Sequence, residues 1–363
     1  MKVLFVSAFD NKNDPSRIYR CDNPAKEIIA AGGSATVIGQ SELMNQINLI
    51  RFVDLIIFQR VHYTADVGVA LRLAREVGCA VAVEYDDLIF VPWEIEQQGA
   101  FRSGAIGNIE EHRRNSKLRL QYLPWVDAAI VSTPAIAEKF EELGVPAFVA
   151  KNAIDDKRFN VRTRKNRGLK KILYMSGTAT HGADFALIHQ PLIRFLKTRT
   201  DVSLTLLGQV TAPAGLIGLP NVETVGKLPM EELLPFISDF DLSLVPLEDT
   251  VFNQCKSSLK FYESGLASVP VLASPRREFA SDIKHGFNGF LAETKEEWFQ
   301  VLEKCYLDRS LLARATRGAY ADVMRLYAQS RRGDKYLRMV EAICDKRRLT
   351  QKPSTFNERS MLV

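Results

Sequence analysis

Short apolar runs recur along this chain, separated by stretches long enough for a helix. In the first half they are Lys2–Ala8, Thr36–Gly39, 54–59, 80–85, 129–132 and 147–150. In the second half they are Lys171–Met175, 202–208, Asp241–Val245 and Val269–Ala273. Each is bounded by turn residues and rich in the side chains of a buried strand. Strands joined by helical crossovers run parallel, so the alternation predicts an α/β chain of doubly wound parallel sheets. The polar, basic stretch after Asp155 has no periodicity and divides the pattern. We place one Rossmann-like domain at 1–155, a linker at 156–170 and a second Rossmann-like domain at 171–346. The tail from Arg347, with Pro353, Ser354 and Thr355, reads as disordered. At 363 residues the chain is long enough for two cores.

The stretch Asp241–Ser274 reads as strand, polar loop, helix, strand. The first strand ends at Pro246, and Leu247–Cys255 carries no helix signal. Ser257 and Ser258 stand where a helix would start, with Leu259, Tyr262 and Leu266 on its inner face. Lys256, Lys260 and Glu263 follow at i, i+4 and i+7, so they share the other face. Lys256 and Glu263 are then about 10 Å apart along the axis, close to the reach from a diphosphate to its ribose. A cation at a helix N-terminus opposes the dipole, so Lys256 calls for an anion beside it. A solvated amphipathic helix would carry the same charges, and spacing alone leaves both readings open.

Other groups sit beyond strand ends, where open α/β sheets bind ligands. Ser176–Gly182 is a small-residue turn whose amides could approach a phosphate, with Asp184 opening a helix. Its spacing is neither GxGxxG nor Walker A, which disfavours a dinucleotide or ATP hydrolysis. Asp86 and Asp87 could take acceptor hydroxyls, act as a base or cap a loop; a metal fits them less well. His62 follows another strand end. Arg17 and Arg20 could grip phosphate or carboxylate, or form a solvated turn. The helical stretch 108–123 carries Arg113, Arg114, Lys117 and Arg119 among aromatics, which suits a solvated face or contact with an anionic membrane. Cysteines 21, 79, 255, 305 and 344 have no paired or metal-type spacing and read as reduced cytosolic thiols. The opening apolar run is too short for a signal peptide, and no stretch has the roughly 18 apolar residues of a membrane span. The net charge of +5 permits affinity for phosphate-bearing partners. We expect no nucleic-acid partner.

The second half resembles the GT-B glycosyltransferases of the large retaining nucleotide-sugar transferase family, the glycosyl transferases group 1 type. Asp241, Pro246, Lys256, Ser257, Lys260, Glu263 and the strand Pro270–Ser274 stand in that family's order. Asn221–Val222, Gly226–Leu228 and His285–Gly286 with Gly289 are similar to its base-side strand and later loop. In the first half, Tyr19-Arg20 and the run of Asp127, Ser132, Asn152, Asp155 and Phe159 are similar to the family's first domain. One departure matters: the family often carries two glutamates spaced E-x7-E, and the first falls at Cys255. The resemblance implies two domains facing a cleft, with donor in the second and acceptor in the first. It implies sugar transfer from a nucleoside diphosphate sugar to a glycan or lipid-linked glycan, with retention, as in bacterial surface polysaccharide synthesis. Gly177, Thr178, His181, Ser257, Ser258, Lys260 and Glu263 would hold the donor, Glu263 at its ribose. Arg17 and Arg20 would hold the acceptor. We expect Lys256, Asp86, Asp87 and His62 at the reacting centre, and neither metal nor other cofactor. The rivals are a same-fold nucleotide-sugar epimerase and a catalytically silent binding or scaffold subunit, which the missing first glutamate favours.

Overall fold

The computed structural model describes all residues except 92–93, 95–100, 102–107, 159–167 and 351–363, and for 158 and 348–350 the backbone only. Phe159 and most of the expected linker lie outside the described residues.

Two six-stranded parallel sheets form, as the alternation predicts. The first comprises β1 (Lys2–Ser7), β2 (Ser34–Gly39), β3 (Leu55–Gln59), β4 (Ala80–Tyr85), β5 (Ala128–Val131) and β6 (Ala147–Val149), in the order β2-β1-β3-β4-β5-β6. The second comprises β7 (Lys171–Ser176), β8 (Ser203–Gly208), β9 (Val222–Val225), β10 (Leu242–Val245), β11 (Val271–Ala273) and β12 (Phe290–Leu291), in the order β12-β11-β10-β7-β8-β9. The central strands are apolar on both faces because helices cover both; β4 is buried along its whole length. Strand order reverses between β1 and β3 and between β7 and β10, all of them parallel, and a ligand crevice opens at the strand C-termini of such a switch point. The loops at the second switch point are Gly177–Gly182 and Pro246–Ser258.

The helix Leu259–Leu266 owes its position to Gly265. A Cβ there would lie 2.6 Å from a Val323 methyl and 3.1 Å from the Ala319 carbonyl oxygen. Only glycine lets it press this closely against Arg309–Leu326. It begins at Leu259 with Ser258 at its N-cap, where the sequence places its start, but Lys256 lies before it and an additional one-turn helix, Val251–Gln254, interrupts the preceding loop. Thr250 caps that turn, its hydroxyl accepting from the Asn253 amide at 3.2 Å.

The C-terminus also departs from expectation. The helix Lys335–Thr350 packs Tyr336, Val340, Ile343 and Cys344 against Val3, Phe5 and Ile57 of the first sheet. Arg347 is buried and donates to Asp127 at 2.6 Å. Residues 347–350 are helical rather than disordered, and Arg347 extends the inward row of Val340, Ile343 and Cys344 through its bond to Asp127 rather than through an apolar contact. The chain's last helix completes the first domain's core, not the second's.

Candidate active site

The turn Val251–Gln254 delivers Cys255 into the first domain. Cys255 is buried in that domain's core, and its carbonyl accepts from the Thr133 hydroxyl at 2.9 Å. Burial pushes its thiol up to about 12, so it is an inert packing group where the related family often has an acid. Lys256 follows immediately, its amide donating to the Asn253 carbonyl at 3.2 Å. Its ammonium stands 4.6 Å from the centre of the Phe252 ring and 3.9 Å from the Asp87 carboxylate across the cleft. Lys256 thus lies outside the helix, and a turn anchored by Cys255, rather than a shared helical face, places it.

Lys260 does lie on the helix and points to the end of β7, where its ammonium donates to the Met175 carbonyl at 2.9 Å. Burial, and then the neighbouring charge of Lys256, pushes it down to about 8. His181 joins the two lysines from the first loop of the domain. Its Nδ1 is 2.8 Å from Asp184. The other Asp184 oxygen accepts from the Glu248 amide at 2.9 Å and the Asn253 side chain at 2.8 Å. Burial opposes the charge of Asp184, but the bond from His181 and the other donors hold it below the ordinary carboxylate range. His181 itself is pushed down to about 4, by burial and by the two lysines against the pull of Asp184. Nothing lies within 4 Å of the space a Gly177 side chain would enter, so the loop faces an opening. Thr178 and Thr180 bond to one another through their hydroxyls at 2.6 Å.

Across the cleft, Arg60 forms ion pairs with Asp86 and, at 2.7 Å, with Asp87. Arg60 adopts a left-handed backbone, φ 54°, an unusual conformation for a residue with a side chain. Burial works against the charge of Asp87, but Lys256, Arg60 and then His181 keep it below the ordinary range. Sequence reasoning passed over Arg60; the acidic pair one strand away was its only signal. Among the described residues no group of three His, Cys, Asp or Glu could hold a metal ion. His62 stands apart: its charged neighbour is Arg119, and burial and that arginine push it down to about 4.

The acceptor assignment of Arg17 and Arg20 is corrected. Arg20 is buried against Glu84 and donates to the Ala150 carbonyl at 2.7 Å and to Asn152 at 2.8 Å. Arg17 is buried as well and holds the Phe9 and Asp10 carbonyls at 3.1 and 3.3 Å. Both guanidiniums fasten the first domain's own loops and are closed to an acceptor. Ser258 is likewise committed: its hydroxyl donates to Asp282, which also accepts from Tyr262 and Tyr327. Ser257 accepts from the Asn152 side chain at 3.1 Å, a bond between the domains. Glu263 is buried, held by the Tyr19 hydroxyl of the first domain at 2.9 Å and pushed up to about 7 by that burial.

Comparison with known proteins agrees with this architecture. Residues 170–308 match the family model described as Glycosyl transferases group 1. No curated protein matches the chain in sequence. Among solved structures, the Anabaena protein Alr3699/HepE in complex with UDP and glucose has a TM-score of 0.65 at 13% identity, over 94% of this chain and 100% of that one. A glycosyltransferase from Rickettsia africae ESF-5 has a TM-score of 0.62 at 12% identity, over 94% and 98%. A putative UDP-N-acetylglucosamine 2-epimerase from Listeria monocytogenes has a TM-score of 0.55 at 13% identity, over 97% of each chain. At these identities the likeness is one of fold, and the fold is GT-B: two Rossmann-like domains about a cleft. The segment 170–308 thus resembles the glycosyl transferases group 1 domain, and the chain as a whole has the GT-B fold.

The placement of Arg20 has a measurable consequence. Removing one partner of a buried ion pair leaves the other charge stranded, at a cost of about 3–5 kcal/mol. Arg20→Ala should therefore lower the unfolding free energy by that amount, read as a lower urea midpoint at unchanged slope, while folded protein keeps its affinity for acceptor. Unchanged stability with a raised acceptor KM would restore the acceptor role.

Proposed function

We propose that this protein transfers a sugar from a uridine diphosphate sugar to a glycan or lipid-linked acceptor, with retention and without metal. The observation that carries the reading is the meeting of Lys256, Lys260 and His181 at the switch point of a group 1 glycosyl transferase domain. Two partly buried cations and a histidine beside an open small-residue loop are suited to a diphosphate. Lys256, the loop Gly177–His181 and Ser257 hold the two phosphates, and Lys260 adds its charge. Glu263 takes the ribose through the carboxylate that Tyr19 now holds.

The protein's main chemical task is then to stabilise the leaving diphosphate as its bond to the sugar breaks. The fixed cations supply this charge, which is why no divalent ion is invoked. Asp87, turned toward Lys256 and charged, stands where it can accept a hydrogen bond from an acceptor or sugar hydroxyl. Asp86 acts through Arg60, which it orients. His62 takes no part in this scheme, because its charged neighbour is Arg119 rather than the lysine cluster. The Listeria neighbour supports a second reading, a nucleotide-sugar epimerase, since it spans the whole of both chains.

A panel of UDP sugars, with and without oligosaccharide acceptors, separates these readings. Transfer predicts acceptor-dependent UDP release that persists in excess chelator. Lys256→Gln removes one charge-assisted hydrogen bond, roughly 1.5–3 kcal/mol, and should weaken UDP binding about ten- to a hundredfold. Loss of turnover in chelator, rescued by magnesium or manganese, overturns the metal-free scheme. Donor conversion without acceptor favours the epimerase, and binding without turnover a silent subunit.

We further propose that the protein works on the cytoplasmic side of a membrane, in surface polysaccharide synthesis, and touches anionic lipid. No helix among the described residues is long and apolar enough to cross a membrane. The helix Ile109–Leu120 leaves Arg114 and Lys117 exposed along a shallow groove of about 410 Å³, while Arg119 turns inward to the Ile89 carbonyl. Each such cation contributes about 1 kcal/mol near an anionic surface. Sedimentation with anionic vesicles should fall in the double variant Arg114→Gln, Lys117→Gln; equal sedimentation removes this surface from the scheme.

A further inference from the structure

His181 has a hydrogen-bonding problem that bears on how the site holds an anion. Its Nδ1 faces Asp184 at 2.8 Å. Asp184 has no proton to give. Its second oxygen accepts two hydrogen bonds, from the Glu248 amide and the Asn253 side chain, and the carboxylate stays ionised. Nδ1 therefore carries the hydrogen and donates it. In a neutral imidazole that leaves Nε2 with a lone pair and no hydrogen. Among the described residues Nε2 takes part in no hydrogen bond, and it is not sealed off, for the side chain is 18% exposed. A phosphate oxygen is also only an acceptor at neutral pH. The two acceptors cannot bond unless Nε2 gains a proton.

We propose that His181 holds the donor's diphosphate as an imidazolium, so that one proton enters the site with each nucleoside diphosphate sugar bound. The proposal rests on the donor-site reading above. The charged groups facing the ring are Asp184 on its own helix, Lys256 and Lys260 from the second crevice loop and its helix, and Asp87 across the cleft. In the free protein, burial and the two lysines keep the ring neutral, down to about 4. A diphosphate diester brings two negative charges to the lysines and one acceptor to Nε2, which reverses the sign of the local field. When the bond between the sugar and the diphosphate oxygen breaks, its electron pair stays on that oxygen. An imidazolium N–H already facing the diphosphate stabilises the charge without transferring its proton. The proton leaves with the product.

The sign of the pH dependence follows. The bound-state pKa lies above the free value, so binding is strongest in acid and weakens as pH rises between the two. The measurement is calorimetric titration with UDP-glucose, whose diphosphate is a diester and does not itself titrate near neutrality. Runs in Hepes and in Tris at pH 7, which differ in ionisation enthalpy, give the protons taken up per ligand bound. Lys260 and Glu263 can contribute protons of either sign, so the quantity read is the difference between wild type and His181→Gln. The expected difference is close to one proton, with wild-type affinity falling up to tenfold per pH unit more steeply than the variant's between pH 6.5 and 8.5. His181→Asn repeats the comparison should the glutamine variant not fold. A difference near zero overturns the proposal and leaves His181 as a neutral ring whose bond positions Asp184. If Lys256→Gln still weakens UDP-glucose binding in that case, the donor site stands and only the proton falls. If UDP-glucose binds equally well to the Lys256→Gln variant, the donor site fails and the proposal with it.

Discussion

Lys256 and Lys260 stand partly buried beside one another at the cleft. Like charges 4 Å apart repel by about 4 kcal/mol at an effective dielectric constant of 20. Lys256 and Lys260 are close enough for each to feel the other, and Lys260 is half-way to losing its proton near pH 8. Asp184 and Asp87 face this charge, one from within the domain and one across the cleft. Burying lysines without a full set of partners is costly, and the surrounding structure is arranged to hold them there. Gly265 lets the helix of Lys260 press on its neighbour. Below its first turn, Ser258, Tyr262, Tyr327 and Lys151 all converge on Asp282.

The same interactions join the two domains. Thr133 holds the Cys255 carbonyl, Asn152 holds Ser257, and Lys151 reaches Glu278 and Asp282. Glu138 and Arg277 form a bidentate pair at 2.7 Å on the rim. Tyr19 reaches from the first domain to Glu263. The contacts at Cys255, Ser257 and Glu263 end on or beside residues of the proposed donor site, so breaking them would disturb that site. Cys255 has been turned to this purpose. Where the related family often carries its first glutamate, this chain buries a thiol in the partner domain's core, and the lysine beside it is aimed at Asp87.

Most of the fold was legible because strands buried on both faces must be apolar throughout. Strand order was not, since it depends on which helices pass over which face. Lys256, Lys260 and Glu263 were singled out on helical spacing, and Lys256 turned out to lie before the helix. Its closeness to Lys260 comes from burial of Cys255, a long-range contact that no local pattern records. Arg17 and Arg20 misled for a related reason: sequence displays a charge but not the carbonyls and carboxylate that neutralise it. Arg60, Asp184 and Tyr19 gained importance only from partners 26, 69 and 244 residues away. The last helix was cut short because its apolar stripe runs into a polar tail, and only packing on Phe5 and Ile57 reveals where it belongs.

The central claim is that Glu263 and the lysine cluster lie along one nucleoside diphosphate. A thermodynamic cycle at Glu263 tests it most directly, with UDP and its 2′,3′-dideoxy analogue titrated into wild type and Glu263→Ala. A bond absent from the ligand cannot be lost a second time. The account predicts that the substitution weakens UDP binding about ten- to a hundredfold and leaves binding of the dideoxy analogue within about twofold. Equal losses against both ligands would mean that Glu263 does not hold the ribose, and would contradict the donor site built on it.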